Sequence, residues 1–160
     1  MTVENKERLL NSLSGTHSKT HEALKGVDLE MPVYEDGSWR IRDILGHIAT
    51  WDRQVTLSLR AYSQGTEYAI PDFDEDGFNE EDVKRQGTLT SKQIYEEWQT
   101  AREMFKDVVR DMPQELFPGD LLYPWGDERG TTAKLVKEMC DHDEEHYSEI
   151  IKAIRAFPLQ

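Results

Sequence analysis

Cysteine is almost missing from this chain: Cys140 is the one thiol in 160 residues. No internal disulfide can form, and such a chain suits a reducing compartment, so the expected location is cytoplasmic. Long apolar runs are missing too. No stretch of about 18 apolar residues occurs, which predicts no membrane span. The opening Met1 to Arg8 has no basic start followed by an apolar core, so no signal peptide is expected. Cations are scarce, with 19 Lys and Arg against 32 Asp and Glu and a formal net charge of −13. A surface this acidic repels phosphate backbones and anionic membranes, and neither is expected as a partner.

Apolar residues make up 37% of the chain. That is enough for one core at this length, and a single domain over 1–160 is expected. The apolar positions recur at helical steps, with no convincing strand pattern and no internal repeat. The first helix is read from Val3 to Leu24, with Leu9, Leu10, Leu13, His17, Thr20 and Leu24 on one stripe and Gly26 as its stop. Ser38 reads as the N-cap of a second helix that starts at Trp39 and ends near Gly65. Its stripe is Ile41, Ile44, Leu45, Ile48, Trp51 or Asp52, Val55, Leu59 and Tyr62.

Residues 65–90 are the least regular, with short helical structure expected from Asn79 to Gln86. Thr90 and Gln93 have capping-box spacing before a third helix, Ser91 to Met112, which Pro113 ends. Its inward positions are Ile94, Trp98, Ala101, Phe105, Val108 or Val109, and Met112. A loop with Pro118, Gly119, Pro124, Trp125 and Gly126 leads to Thr131 or Thr132. Either threonine can cap a fourth helix reaching Phe157 before Pro158. The architecture predicted is all-α, a four-helix bundle with a long crossover between the second and third helices.

The fourth helix carries the most informative pattern. Its inward stripe is Leu135, Met139, His142, His146, Ile150 (with Glu149 beside it), Ala153 and Phe157. Two core positions on successive turns are therefore histidine. A buried imidazole needs partners for its nitrogens. His142 and His146 need either two separate partners or a shared one, and a metal ion supplies the second option. Rings four residues apart on a helix stand about 5–6 Å apart at Cβ, close enough to share an ion. On the second helix, His47 lies at the edge of the apolar stripe. If that helix packs against the fourth, His47 completes a set of three neutral nitrogens with open positions left for chemistry. Asp43, Asp143 and Glu145 are near enough in sequence to accept from ring N–H groups.

The run Trp39-Arg-Ile-Arg-Asp43-Ile-Leu-Gly-His47-Ile-Ala-Thr-Trp51-Asp52 resembles the second-helix signature of the DinB-like (YfiT-like) superfamily of metalloenzymes. His142-x-x-x-His146 is similar to that family's pair on the fourth helix, and Asn79-Glu80 ahead of a Thr-capped third helix also looks like the family. The resemblance covers nearly the whole chain. It implies a four-helix bundle with an up-down-down-up arrangement. It also implies a divalent metal on His47, His142 and His146, with zinc, nickel or iron suiting imidazole ligands. By the same resemblance the expected function is a metal-dependent enzyme. A low-molecular-weight thiol S-transferase or a hydrolase in detoxification leads, acting on a small-molecule substrate. The alternative is a non-catalytic small-molecule-binding or stress-response bundle. Relatives often form dimers, and spare apolar residues such as Leu57 and Ile151 point to a homodimer.

Other features carry less. His17 and His21 share the four-residue spacing and are the rival ligands. Asp72-x-Asp74-x-Asp76-Gly77 resembles the opening of a calcium-binding loop, but Val83 stands where the bidentate Glu belongs. Cys140 reads as a partly buried, unreactive thiol, since Asp141 and Glu138 disfavour the thiolate. Trp51, Trp98, Tyr147 and Trp125 are the aromatics that could line a pocket near a metal, with Trp125 favoured.

Overall fold

The structure is a computed structural model and describes residues 3–156. Its helices are α1 (Val3–Ala23), α2 (Ile41–Ser63), α3 (Glu75–Gln86), α4 (Ser91–Asp111) and α5 (Thr132–Ala156). The four long ones are those expected from the sequence. Phe157 and Pro158, read as the end of the last helix, lie outside the described residues. No described helix is long and apolar enough to cross a membrane.

Helix α2 is the axis of the fold. It packs most extensively on α4, while α1 lies on α5. Its apolar stripe, Ile41, Ile44, Leu45, Ile48, Val55 and Leu59, is 0–2% exposed. The inward positions of α4 (Ile94, Trp98, Ala101, Phe105, Val109 and Met112) are buried against it. Of the α1 stripe, Leu13, Thr20 and Leu24 are buried. Burial of large side chains of this kind stabilises by roughly 1.5–3 kcal/mol each before chain entropy is counted.

Three features depart from the sequence reading. First, α3 begins four residues earlier than expected, because Asp74 caps it and accepts from the Gly77 N–H at 3.0 Å. That engagement, with helix from Glu75 onward, corrects the calcium-loop resemblance: the loop's middle positions are helical. Second, α2 starts at Ile41 with Arg40 at the N-cap, not Ser38. Val33 N–H donates to the Trp39 carbonyl at 2.7 Å and Asp43 accepts from Arg40 N–H at 2.9 Å, so residue 39 is held in extended chain. Third, two-residue strands β1 (Leu121–Leu122) and β2 (Arg129–Gly130) form a small antiparallel hairpin in the loop before α5.

The first half of α2 is buried on all sides, although its sequence is amphipathic. Helix α3 covers the polar side. Thr50 donates to Asp82 at 2.7 Å, and Gln86 Nε2 donates to the Gly46 carbonyl at 3.2 Å. Gly46 permits this approach, since a Cβ there would fall 2.6 Å from the Gln86 side chain. Arg42 donates to the carbonyls of Gln86 and Leu89, which ties the start of α2 to the α3–α4 turn. Thr90 and Gln93 form the expected capping box on α4, and Thr131 accepts from the Lys134 N–H at 3.1 Å, which makes it the cap of α5.

At the centre all four long helices meet on one guanidinium. Arg102 of α4, 1% exposed, donates to both carboxylate oxygens of Asp52 on α2 at 2.8 and 3.0 Å. It donates equally to both oxygens of Asp143 on α5, at 2.8 and 3.2 Å, and to the Leu13 carbonyl of α1 at 3.0 Å. Thr16 of α1 adds a hydrogen bond to Asp143 at 2.6 Å. A cation satisfied this fully by bidentate partners is held firmly, and so are the helices that supply them.

Candidate metal centre

The Asp52 and Asp143 carboxylates fix the faces of α2 and α5 that carry Trp51 and His142. One turn from Trp51 along α2, His47 faces α5. Its Nε2 lies 3.0 Å from His142 Nε2, and His146 Nε2 lies 3.0 Å from the same atom. Each of the three residues places a ring nitrogen within 4.8 Å of the others. Among the described residues no other group of His, Cys, Asp or Glu converges in this way.

This donor set fits a divalent ion. His142 Nε2 offers either one proton or one lone pair, so it cannot make an aligned hydrogen bond along both of its 3.0 Å lines. A cation shared by three lone pairs satisfies all of them. Two imidazole nitrogens about 2.0–2.1 Å from a common ion stand roughly 2.9–3.4 Å apart at ligand angles of about 90–110°. Burial, with the neighbouring rings adding to it, pushes His47 down to about 3, and burial followed by His146 pushes His142 down to about 4. Both rings are thus neutral and ready to ligate near pH 7.

The acceptors expected around the rings are elsewhere engaged. Asp43 caps α2 and pairs with Arg40, Asp143 is committed to Arg102 and Thr16, and Glu145 is exposed. Glu149 takes that place for His146. Its Oε1 stands 2.9 Å from His146 Nδ1, close but without the alignment of a hydrogen bond. The Tyr34 hydroxyl donates to its other oxygen. A carboxylate at Nδ1 favours the tautomer that leaves Nε2 free for a metal. Beside His47, the Asn79 side chain opposes the downward shift of that ring, although its buried Oδ1 makes no aligned hydrogen bond. Glu149 was legible as the i+3 neighbour of His146; Tyr34, more than a hundred residues away, was not.

The rival pair is used otherwise. His17 stacks on Trp98 with ring centres 3.9 Å apart and is hydrogen-bonded to Gln99 at 2.6 Å, while His21 is hydrogen-bonded to Tyr95. Cys140 is partly buried, and burial followed by Asp143 pushes its thiol up to about 11; of the neighbours expected to do so, Asp141 adds a smaller part and Glu138 none. Trp98 belongs to the core, and Tyr147 lies under the Lys19 ammonium.

A cavity of about 240 Å³ opens beside His47 and His142. Trp51 and Met139 form its helical wall; Phe73 and Trp125 close it from the crossover and from the hairpin loop. The two loops are joined by the Ile70 N–H donating to the Pro124 carbonyl at 2.8 Å, and Trp125 is steadied by its indole N–H donating to Glu128 at 2.8 Å. Phe73 was not singled out from the sequence, because nothing in its acidic surroundings marks it as inward.

The chelated protein is expected to lose stability in acid. His47 and His142 have folded pKa values below the unfolded value of about 6.5, so the unfolded chain binds more protons once pH falls through that value. Their contribution is present above about pH 6.5 and is lost as pH falls toward their folded values. Between pH 7 and 5 the loss is roughly 2 kcal/mol for each ring that is neutral in the fold, about 4 kcal/mol for both. Urea melts at the two pH values check this, and the His47→Asn/His142→Asn variant should lack that part of the slope.

Three comparisons bear on this arrangement. Among curated proteins none matches the chain. Among solved structures, YfiT from Bacillus subtilis, described as a probable metal-dependent hydrolase with an unusual four-helix bundle topology, aligns with a TM-score of 0.77 at 18% identity. That alignment covers 100% of this chain and 91% of YfiT. A mycothiol-dependent maleylpyruvate isomerase aligns with a TM-score of 0.74 at 14% identity, covering 91% of this chain but 60% of the isomerase. An uncharacterized protein from Clostridium difficile 630 aligns with a TM-score of 0.78 at 13% identity, over 99% of this chain and 100% of that one. At these identities the likeness shows a common fold. The model of the DinB superfamily matches residues 12–150, and with most of the chain so covered the protein belongs to the DinB superfamily.

Proposed function

We propose that the protein is a metal-dependent enzyme in which His47, His142 and His146 hold one divalent ion and a small substrate enters the adjoining cavity. The observation that carries this reading is the convergence of three ring nitrogens, with two of the rings, His47 and His142, lining a cavity. Three protein ligands leave coordination open, which distinguishes a catalytic site from a structural one. A divalent ion there would supply Lewis-acid polarisation and a lowered pKa for a bound water or thiol. The chain's own part is to keep His47 and His142 neutral and to aim all three imidazoles. The Arg102 clamp holds α2 and α5 in register, Glu149 stands against His146 Nδ1, and Trp51, Phe73 and Trp125 exclude water from one side of the reacting group.

Two reaction classes suit this site: hydrolysis, as described for YfiT, and transfer to a low-molecular-weight thiol, in keeping with the mycothiol dependence of the isomerase. Cys140 does not compete as nucleophile, since its thiol stays protonated near neutral pH. The test is turnover of activated esters, and of aromatic electrophiles with added thiols, by chelated protein and by protein reloaded with zinc, nickel or iron. Activity that vanishes on chelation, returns with metal and does not return in His47→Ala is expected. Stoichiometric metal with no turnover of any substrate would instead identify a binding bundle.

A further inference from the structure

We propose that the cavity beside the three histidines seats a small aromatic cation, a single ring bearing an ammonium group, recognised by Trp51, Phe73 and Trp125 together with the Glu75 and Glu138 carboxylates. This inference rests on the reading of the site given above and names the class of molecule that enters it.

Size comes first. A cavity of about 150 Å³ accommodates benzene, so 240 Å³ has room for one ring and a short substituent. The walls come next. Trp51 meets Phe73 edge to face at 5.6 Å and Trp125 at 6.2 Å, so these rings are not stacked on one another. Aromatic faces bind cations better than they bind neutral groups of equal size, and tryptophan does so best.

Charge then selects. No lysine or arginine lines the cavity, whereas two carboxylates do: Glu75 from the first turn of α3 and Glu138 one turn before His142 on α5. The nearest cation to Glu138 is Lys134 at 3.9 Å. A divalent ion carrying one anionic nucleophile would add a single net positive charge to the two carboxylates. The loaded site then keeps one negative charge, which a monocation neutralises. The acidic surface of the whole chain, at a formal −13, favours approach of such a ligand and repels anions.

The probes are benzyltrimethylammonium, which carries a fixed charge and cannot ligate a metal, benzyl alcohol and phenylacetate. Binding to the full chain is followed by tryptophan fluorescence and calorimetry, with the protein chelated and with it zinc-loaded. In the chelated protein the cation should bind about tenfold tighter than either of the others. In Glu75→Gln/Glu138→Gln that preference should shrink to about threefold or less, and Trp125→Ala should weaken cation binding about fivefold or more. Equal or tighter binding of the alcohol or the anion in chelated protein would overturn the proposal. So would a preference unchanged in the double glutamine variant, or no binding of any probe up to about 10 mM. Zinc stoichiometry measured on the same samples separates the two readings. Normal zinc uptake with no cation preference overturns this inference alone, and cation preference without zinc uptake overturns the metal reading alone.

Discussion

Replacing Arg102 by Met is expected to cost about 3–5 kcal/mol of folding stability, the largest single-residue loss outside the apolar core. Arg102 is surrounded by Asp52, Asp143, Thr16 and the Leu13 carbonyl, with no solvent to take over their partnership. Without it, two buried carboxylates face one another. Burial already pushes Asp52 up to about 6 against the pull of Arg102, so removal of the guanidinium drives proton uptake there. At this chain length the loss corresponds to a fall in Tm of roughly 6–20 °C. Arg102→Lys keeps the charge but loses the two-pronged contact with each carboxylate, and should fall between Arg102→Met and wild type. The triple variant Asp52→Leu/Arg102→Met/Asp143→Leu removes every charge and should recover most of the loss, because a buried ion cluster is often no more stabilising than apolar residues of similar volume. Denaturant melts measure all three. A loss below about 1 kcal/mol in Arg102→Met would contradict the central role given to this clamp.

The second large effect is expected from the metal itself. Titration of chelated protein with zinc or nickel to about a hundredfold excess over the dissociation constant should stabilise it by roughly 2.7 kcal/mol, which is about 5–10 °C in Tm. The shift follows from geometry. The unfolded chain cannot gather His47 with residues 142 and 146, almost a hundred positions away, whereas the fold has already brought their nitrogens together. His47→Ala and His142→Ala should each abolish the shift, since the two imidazoles left hold an ion weakly. His17→Ala should leave it intact, because His17 stacks on Trp98 and bonds Gln99.

What could be read from sequence was what repeats locally. The stripes on α2 and α4, the Thr90–Gln93 box and the two histidines of α5 are patterns within a few residues of each other. The pairing of His47 with His142 and His146 rested on α2 packing against α5 and on family resemblance, and the structure brings the three rings together. What escaped was assembled from distant parts. Arg102 was passed over although it sits one turn after Trp98 on the inward stripe, and Asp143 stands likewise one turn after Met139. An arginine and two aspartates on three inward faces signal a buried cluster only when the faces are considered together. The length of α3 was missed because Asp74 reads equally as a cap or as one of several loop acids. The cavity depends on Phe73 and Trp125, which two irregular segments bring to one place through the Ile70–Pro124 backbone hydrogen bond and the Glu67–Arg129 ion pair. Loop closure of that kind leaves no periodic trace.

The most direct test of the account is the metal content per chain, by elemental analysis, of protein purified without an affinity tag, for the wild type and for His47→Ala. About one divalent ion per chain in the wild type and none in the variant is the expected result, and it would establish that α2 and α5 share a metal. Unchanged metal in His47→Ala, or no uptake by the wild type in excess zinc or nickel, would contradict it.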